Sequence, residues 1–163
     1  MNSFIPVVID VEASGFGPGS SPIEIGVVLE SGDPYCRLLR PQTDWTHWDE
    51  SAAAVHGVTR DILTTHGRPA EEVARDLNEM LWGKTVYSDA WSYDMTWVGL
   101  LFEVVGRPQT FRIESLRSLL TEPQADRWAD QRREVVKELG LSRHRASADA
   151  RILQLTYQRV VAD

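Results

Sequence analysis

Two acids interrupt an apolar run near the start of the chain. In Val7-Val8-Ile9-Asp10-Val11-Glu12 the composition reads as a buried strand, yet Asp10 and Glu12 stand inside it. Side chains of a strand alternate between faces, so Val8, Asp10 and Glu12 share one face and Val7, Ile9 and Val11 the other. An unpaired buried carboxylate is costly, and two side by side repel. A positive charge must therefore sit between them, carried by Arg or Lys or by a metal ion.

Two further acids occupy helical positions where apolar residues belong. Asp94 precedes Trp97, Val98 and Leu101, its neighbours on the same helix face. Asp149 precedes Ile152 and Leu153 in the same way. Taken singly, each reads as a first-turn acid favoured by the helix dipole. Taken with Asp10 and Glu12 they make four acids aimed inward. Neither the first strand nor the segment around Asp94 contains Lys or Arg, and the arginines near Asp149 sit at spacings that point elsewhere. Divalent cations answer the charge, and all-oxygen ligands suit Mg²⁺ or Mn²⁺. Zinc would want more Cys or His. His144, five residues before Asp149, is by itself a loop histidine; beside a metal cluster it becomes a base able to take a proton from the attacking water. Two hard cations about 4 Å apart and a base make a phosphodiester-cleaving centre.

The elements that must position these groups can be read from periodicity. Strands are expected over 7–15, 23–30 and 34–41, close enough for an antiparallel meander. A short helix closed by Gly57 follows, then a helix entered at Pro69 with Val73, Leu77, Met80 and Leu81 on one face. A strand at 84–90 leads to the helix of Asp94, which is apolar almost all round and so expected to be buried. A fifth strand at 110–115, an amphipathic helix through Trp128, Val135 and Leu139, and a final helix from Ser147 complete an α/β domain with a mixed sheet.

The order of these pieces resembles a known family. Asp-x-Glu on the first strand, the Asp of "SDAWSYD" and the His-x4-Asp of "HRASADARI" are similar to the motifs of the DEDDh 3′-to-5′ exonucleases. That group includes ribonuclease T, oligoribonuclease and the proofreading subunit of the bacterial replicative polymerase. "PIEIGVV" and "AAAVHGVTRDIL" match its connecting segments, and the likeness runs from about residue 6 to residue 160. The resemblance implies a ribonuclease H-like fold, with a five-stranded mixed sheet whose second strand is antiparallel. It implies Asp10, Glu12, Asp94 and Asp149 as ligands of two Mg²⁺ or Mn²⁺ ions, and His144 as general base. It implies release of 5′-mononucleotides from a free 3′ end. Ala13, Ser14, Gly15 and Phe16 would cradle the terminal nucleotide, with His56 near the pocket. The chain departs from the family at Asp89-Ala90, where His-Asn is usual, at Ala13 in place of Thr, and at Glu114-Ser115 in place of Asp-Thr.

Bulk properties are compatible with this. The 163 residues suit one domain, taken as 1–163, with 42% hydrophobic and 25% charged residues. No apolar run approaches a membrane span, and the N-terminus lacks the basic start of a signal peptide. The single cysteine, Cys36, excludes an internal disulfide and fits a reducing cytoplasm. A net charge of −7 argues against coating duplex nucleic acid by bulk electrostatics, though not against a local nuclease site. Single-stranded DNA or RNA is the expected partner, and the sequence leaves the two as equal alternatives. No pattern specifies an oligomeric state. Of six tryptophans, Trp91 lies nearest the site in sequence and is the candidate for base stacking. Arg143 and Arg145 flank His144 and are candidates for phosphate contact. The competing readings are an oligoribonuclease-like enzyme confined to very short RNA, and a non-catalytic nucleic-acid-binding module on the same fold.

Overall fold

The computed structural model describes residues 3–141 and 144–162. Five strands form one sheet in the order β3-β2-β1-β4-β5. The strands are β1 (Val8–Ala13), β2 (Pro22–Val28), β3 (Pro34–Leu38), β4 (Thr85–Ser88) and β5 (Arg112–Ser115). β2 runs antiparallel to both β1 and β3, whereas β1, β4 and β5 are mutually parallel. The helices are α1 (Glu50–His56), α2 (Arg60–His66), α3 (Ala70–Leu81), α4 (Trp91–Val105), α5 (Glu122–Leu139) and α6 (Ala146–Ala162).

The alternation along β1 sorts residues between two layers. Val7, Ile9 and Val11 enter a core with Val73 and Leu77 of α3 and Val98 and Leu101 of α4. Val8 faces the opposite way and packs with Ala150, Leu153 and Tyr157 of α6. Asp10 and Glu12 share the Val8 face, so α6 covers the carboxylates. The chain leaves β1 toward β2 on one side, while its parallel neighbour β4 lies on the other. Such a point opens a crevice beyond the carboxyl ends of the strands.

Local signals explain most boundaries. Asp49 caps α1, accepting from Ser51 N–H at 2.9 Å, and Gly57 ends it in the left-handed conformation at φ 69°. A Thr121–Gln124 capping box opens α5. α2 escaped the periodicity because Leu63 is its only buried residue. Its signal was Thr59, whose hydroxyl accepts from Ile62 N–H.

Two expectations need correction. α4 is not buried all round: one face carries Asp94, Trp97, Val98, Leu101 and Phe102 inward, whereas Tyr93, Met95 and Val104 are exposed. The stripe through Trp128, Val135 and Leu139 is also uneven. Val135 is buried, Trp128 is partly buried and Leu139 is exposed, because α5 rests on α6 rather than on the sheet. No helix among the described residues is long and apolar enough to cross a membrane.

Candidate active site

Asp10, Glu12 and Asp149 bring one carboxylate oxygen each within 4.8 Å of one another. The first two come from β1 and the third from the first turn of α6. This meeting depends on how closely α6 lies against the sheet. Gly26 of β2 pairs with Asp10 across the ladder. A Cβ there would stand 2.3 Å from the backbone of Ala146 and Ser147, so only glycine lets the start of α6 descend this far.

Glu24 fixes the same helix end. It is wholly buried and lies opposite Glu12 in the β1–β2 register. Its carboxylate accepts from Ala146 N–H at 2.8 Å and from Arg145 Nη2 at 2.6 Å and Nε at 3.0 Å. A buried acid held by a forked guanidinium and a helix N-terminal amide has strong, directional partners. Arg145 is thus engaged with Glu24 rather than presented as a phosphate contact, while Arg143 lies outside the described residues. Glu24 was not singled out from the sequence. Its signal was the one that exposed Asp10 and Glu12: an acid inside an apolar strand.

Asp94 reaches the crevice from the other layer. It is 1% exposed, and its Oδ2 accepts from Ser88 Oγ at 2.5 Å, so it is anchored to the end of β4. It stands outside the three-acid group but lines the same cleft. His144 lines the cleft as well, in a left-handed conformation at φ 66° that non-glycine residues adopt at a cost. Its backbone N–H donates to Asp149 Oδ2 at 3.0 Å, which ties the loop to the carboxylate.

The electrostatics of the cluster disfavour ionisation of its carboxyls. Burial, reinforced by Asp94, Glu12 and Asp149, holds Asp10 well above the usual carboxylate range. Burial, then the charges of Asp149 and Glu24, pushes Glu12 to about 8. Asp94 is pushed by burial to about 7 despite the opposing hydrogen bond from Ser88. Carboxylates that resist ionisation together, with only oxygen ligands on offer, form a donor set that fits a hard divalent cation.

Beside the acids lies a cleft of about 390 Å³. Ala13, Gly15 and Phe16 form one wall, and Ser51, Ala52, Val55 and His56 of α1 form another. Burial lowers the titration of His56, and its Nδ1 accepts from Val58 N–H at 3.0 Å. The proton of the neutral ring is then on Nε2, which is buried with no partner among the described residues. Tyr93 and Trp97 of α4 complete the lining, their rings stacked at 5.6 Å, with Phe16 edge-on to Tyr93 at 5.2 Å. Phe16 is 67% and Tyr93 50% exposed, so both rings offer surface to a ligand.

Two residues named from the sequence sit elsewhere. Ser14 points away from the cleft: its hydroxyl accepts from Ser21 N–H at 3.0 Å and shares a 2.8 Å hydrogen bond with His47 Nδ1. It shapes the loop rather than lining the cleft. Trp91 does not line the cleft either, because its indole N–H donates to Ile113 O at 2.8 Å and turns the ring toward β5. Tyr93 and Trp97 occupy the place expected for it.

No family model and no curated protein sequence matches the chain. Solved structures do. An exonuclease I structure superposes with a TM-score of 0.72 at 14% identity, over 98% of this chain and 41% of that one. E. coli exonuclease I in complex with a 5cy-dT13 oligonucleotide gives 0.73 at 14% identity, over 96% of this chain and 40% of that one. Exonuclease I from Methylocaldum szegediense gives 0.60 at 15% identity, over 77% of this chain and 30% of that one. The chain thus spans about two-fifths of the first of these proteins, and at such identity the likeness is one of fold: a mixed five-stranded sheet with flanking helices, shared with exonuclease I.

Proposed function

We propose that this chain is a divalent-metal-dependent 3′-to-5′ exonuclease of the DEDDh type on a ribonuclease H-like fold. Its substrate is single-stranded nucleic acid with a free 3′ end, and its products are 5′-mononucleotides. The observation that carries this reading is the convergence of Asp10, Glu12 and Asp149 within 4.8 Å at the side of a cleft that also holds His144. The fold shared with exonuclease I, which has been crystallised with dT13 and dA16 oligonucleotides, points the same way.

Asp10, Glu12, Asp94 and Asp149 would hold Mg²⁺ or Mn²⁺. Bound there, the cations would act as Lewis acids on the scissile phosphate. The remaining work belongs to the chain. A cleft of about 390 Å³ is of a size to take a terminal nucleotide, which suits removal of residues one at a time. Phe16 and Tyr93 give stacking surface to its base. His144 takes the proton from the attacking water as general base. Glu24 and Arg145 hold the first turn of α6, and with it Asp149, in place.

The test is hydrolysis of 5′-labelled and 3′-labelled single strands with Mg²⁺ or Mn²⁺. On longer DNA and RNA a 5′ label should yield a ladder and a 3′ label only mononucleotide, and a dinucleotide should be cut once. Asp10→Asn should abolish turnover together with metal-dependent thermal stabilisation. Full activity in that variant, or cuts in a circular single strand, would overturn the assignment.

A further inference from the structure

A second concave surface lies outside the catalytic cleft. One stripe of α5, formed by Trp128, Ala129, Arg132, Arg133, Val136 and Lys137, lines a groove of about 450 Å³. Three of its six residues are cations and none is an acid, in a chain whose net charge is −7. The groove also presents an aromatic ring and the apolar Val136. Arg133 pairs with Asp130 at the surface, where such a pair is weak and easily exchanged. Lys137 makes no ion pair among the described residues.

The groove adjoins the cleft. Arg132 donates to Asp89 Oδ2 at 2.9 Å, and Ala90, the next residue, lines the cleft. At its far end α5 stops at Leu139, five residues before His144, which lines the cleft. A nucleotide seated between α1 and α4 fills the cleft, so the rest of its strand must leave past the carboxylates. Of the adjoining concave surfaces, the groove beyond α1 pairs Trp48 and Arg60 with the acids Glu50 and Asp61, whereas this stripe offers a ring and three cations without an acid.

We infer that the α5 groove binds the 5′ continuation of the same single strand, with Arg133 and Lys137 on its phosphates and Trp128 against a base. This rests on the nuclease reading for the strand's direction, but the binding itself can be measured without cleavage. The ring tolerates any base, and the cations read only backbone charge, so the contact confers preference for length rather than for sequence.

The experiment compares fluorescence-anisotropy affinities for 5′-labelled (dT)15 and (dT)3 in Ca²⁺, before and after Arg133→Ala/Lys137→Ala. Both residues are on the surface, so the fold should be retained, and circular dichroism checks this. Affinity for (dT)15 should fall about tenfold, with the salt slope reduced by about 1.4 for two phosphate contacts on a single strand. Affinity for (dT)3 should change less than about twofold, since so short a strand gains little from the groove. Arg75→Ala/Arg107→Ala, which removes two cations from α3 and the loop after α4, should leave the (dT)15 affinity as it was. An unchanged (dT)15 affinity and salt slope in the groove variant would overturn the proposal, as would an equal loss in the control. Tight binding of an acidic peptide in preference to (dT)15 would overturn it in favour of a protein partner. Failure of the nuclease reading would show separately, as absent metal-dependent hydrolysis of (dT)3 by the unaltered chain.

Discussion

Replacing Gly26 with Ala tests how the three carboxylates are brought together. The added methyl would stand 2.3 Å from the carbonyl carbon of Ala146 and the amide nitrogen of Ser147. Carbon contacts settle at about 3.5–4.0 Å, so the start of α6 must retreat by more than about 1 Å. Both obstructing atoms are backbone, and no rotamer change relieves the clash. Overpacking costs about 1–3 kcal/mol, and the upper end applies here because Ala146 N–H is also drawn away from Glu24. At about 2–4 °C per kcal/mol for a chain of this size, the melting temperature should fall by about 6–12 °C. Asp149 moves with the helix, and a misplacement of about 1 Å costs on the order of a hundredfold in turnover. Calorimetry, Mn²⁺ titration and exonuclease assay on the same preparation read the three effects. Gly99 of α4 is the comparison, since nothing lies within 4 Å of its added Cβ. Gly99→Ala should stabilise by about 0.5–1 kcal/mol and leave turnover alone. A Gly26→Ala protein that melts within about 1 °C of the parent and retains full activity would refute the close approach as the positioning device.

The raised carboxyls predict a pH dependence in the metal-free protein. Glu12 at about 8 and Asp94 at about 7 stay protonated in the folded chain at pH values where the unfolded chain has already lost those protons. Stability from these groups is therefore fully present near pH 4 and lost as pH rises toward 8, and Mn²⁺ should flatten that decline in thermal melts by pairing the charges. A melting temperature that is level from pH 5 to 8 without metal would contradict it. His144→Asn keeps a residue tolerant of positive φ and should lower turnover by about a hundredfold to ten-thousandfold while Mn²⁺ affinity, read by titration calorimetry, stays intact. Loss of metal affinity in that variant would make His144 a ligand or a structural residue instead of the base.

Much of the fold was legible because local rules and tertiary packing agree. Alternation on β1 placed Val8, Asp10 and Glu12 on one face, and the structure puts Val8 against α6, the helix that supplies Asp149. The helical phase of Asp94 and Asp149 placed both toward the interior, where they are found. Phase could not distinguish their layers. Asp149 joins the β1 carboxylates on their own face, whereas Asp94 arrives from the opposite layer and is tied to Ser88. Periodicity gives a side chain's direction within its element, and the identity of the element opposite is a property of topology. The same gap explains Trp91 and Tyr93, two residues apart on one helix turn. Sequence favours the larger ring, but the hydrogen bond from Trp91 to Ile113 O exists only because β5 lies there, and the cleft falls to Tyr93. Glu24 and Arg145 are 121 residues apart, and Gly26 and Ala146 nearly as far. Each looks ordinary in its own segment. The four acids stood out as candidates by residue type and spacing, because a carboxylate buried without a cation beside it costs too much to serve as packing, and His144 became a candidate only through its place beside them. Their convergence, and the neighbours each one touches, were decided by the approach of α6 to β2, a long-range contact that no local pattern encodes.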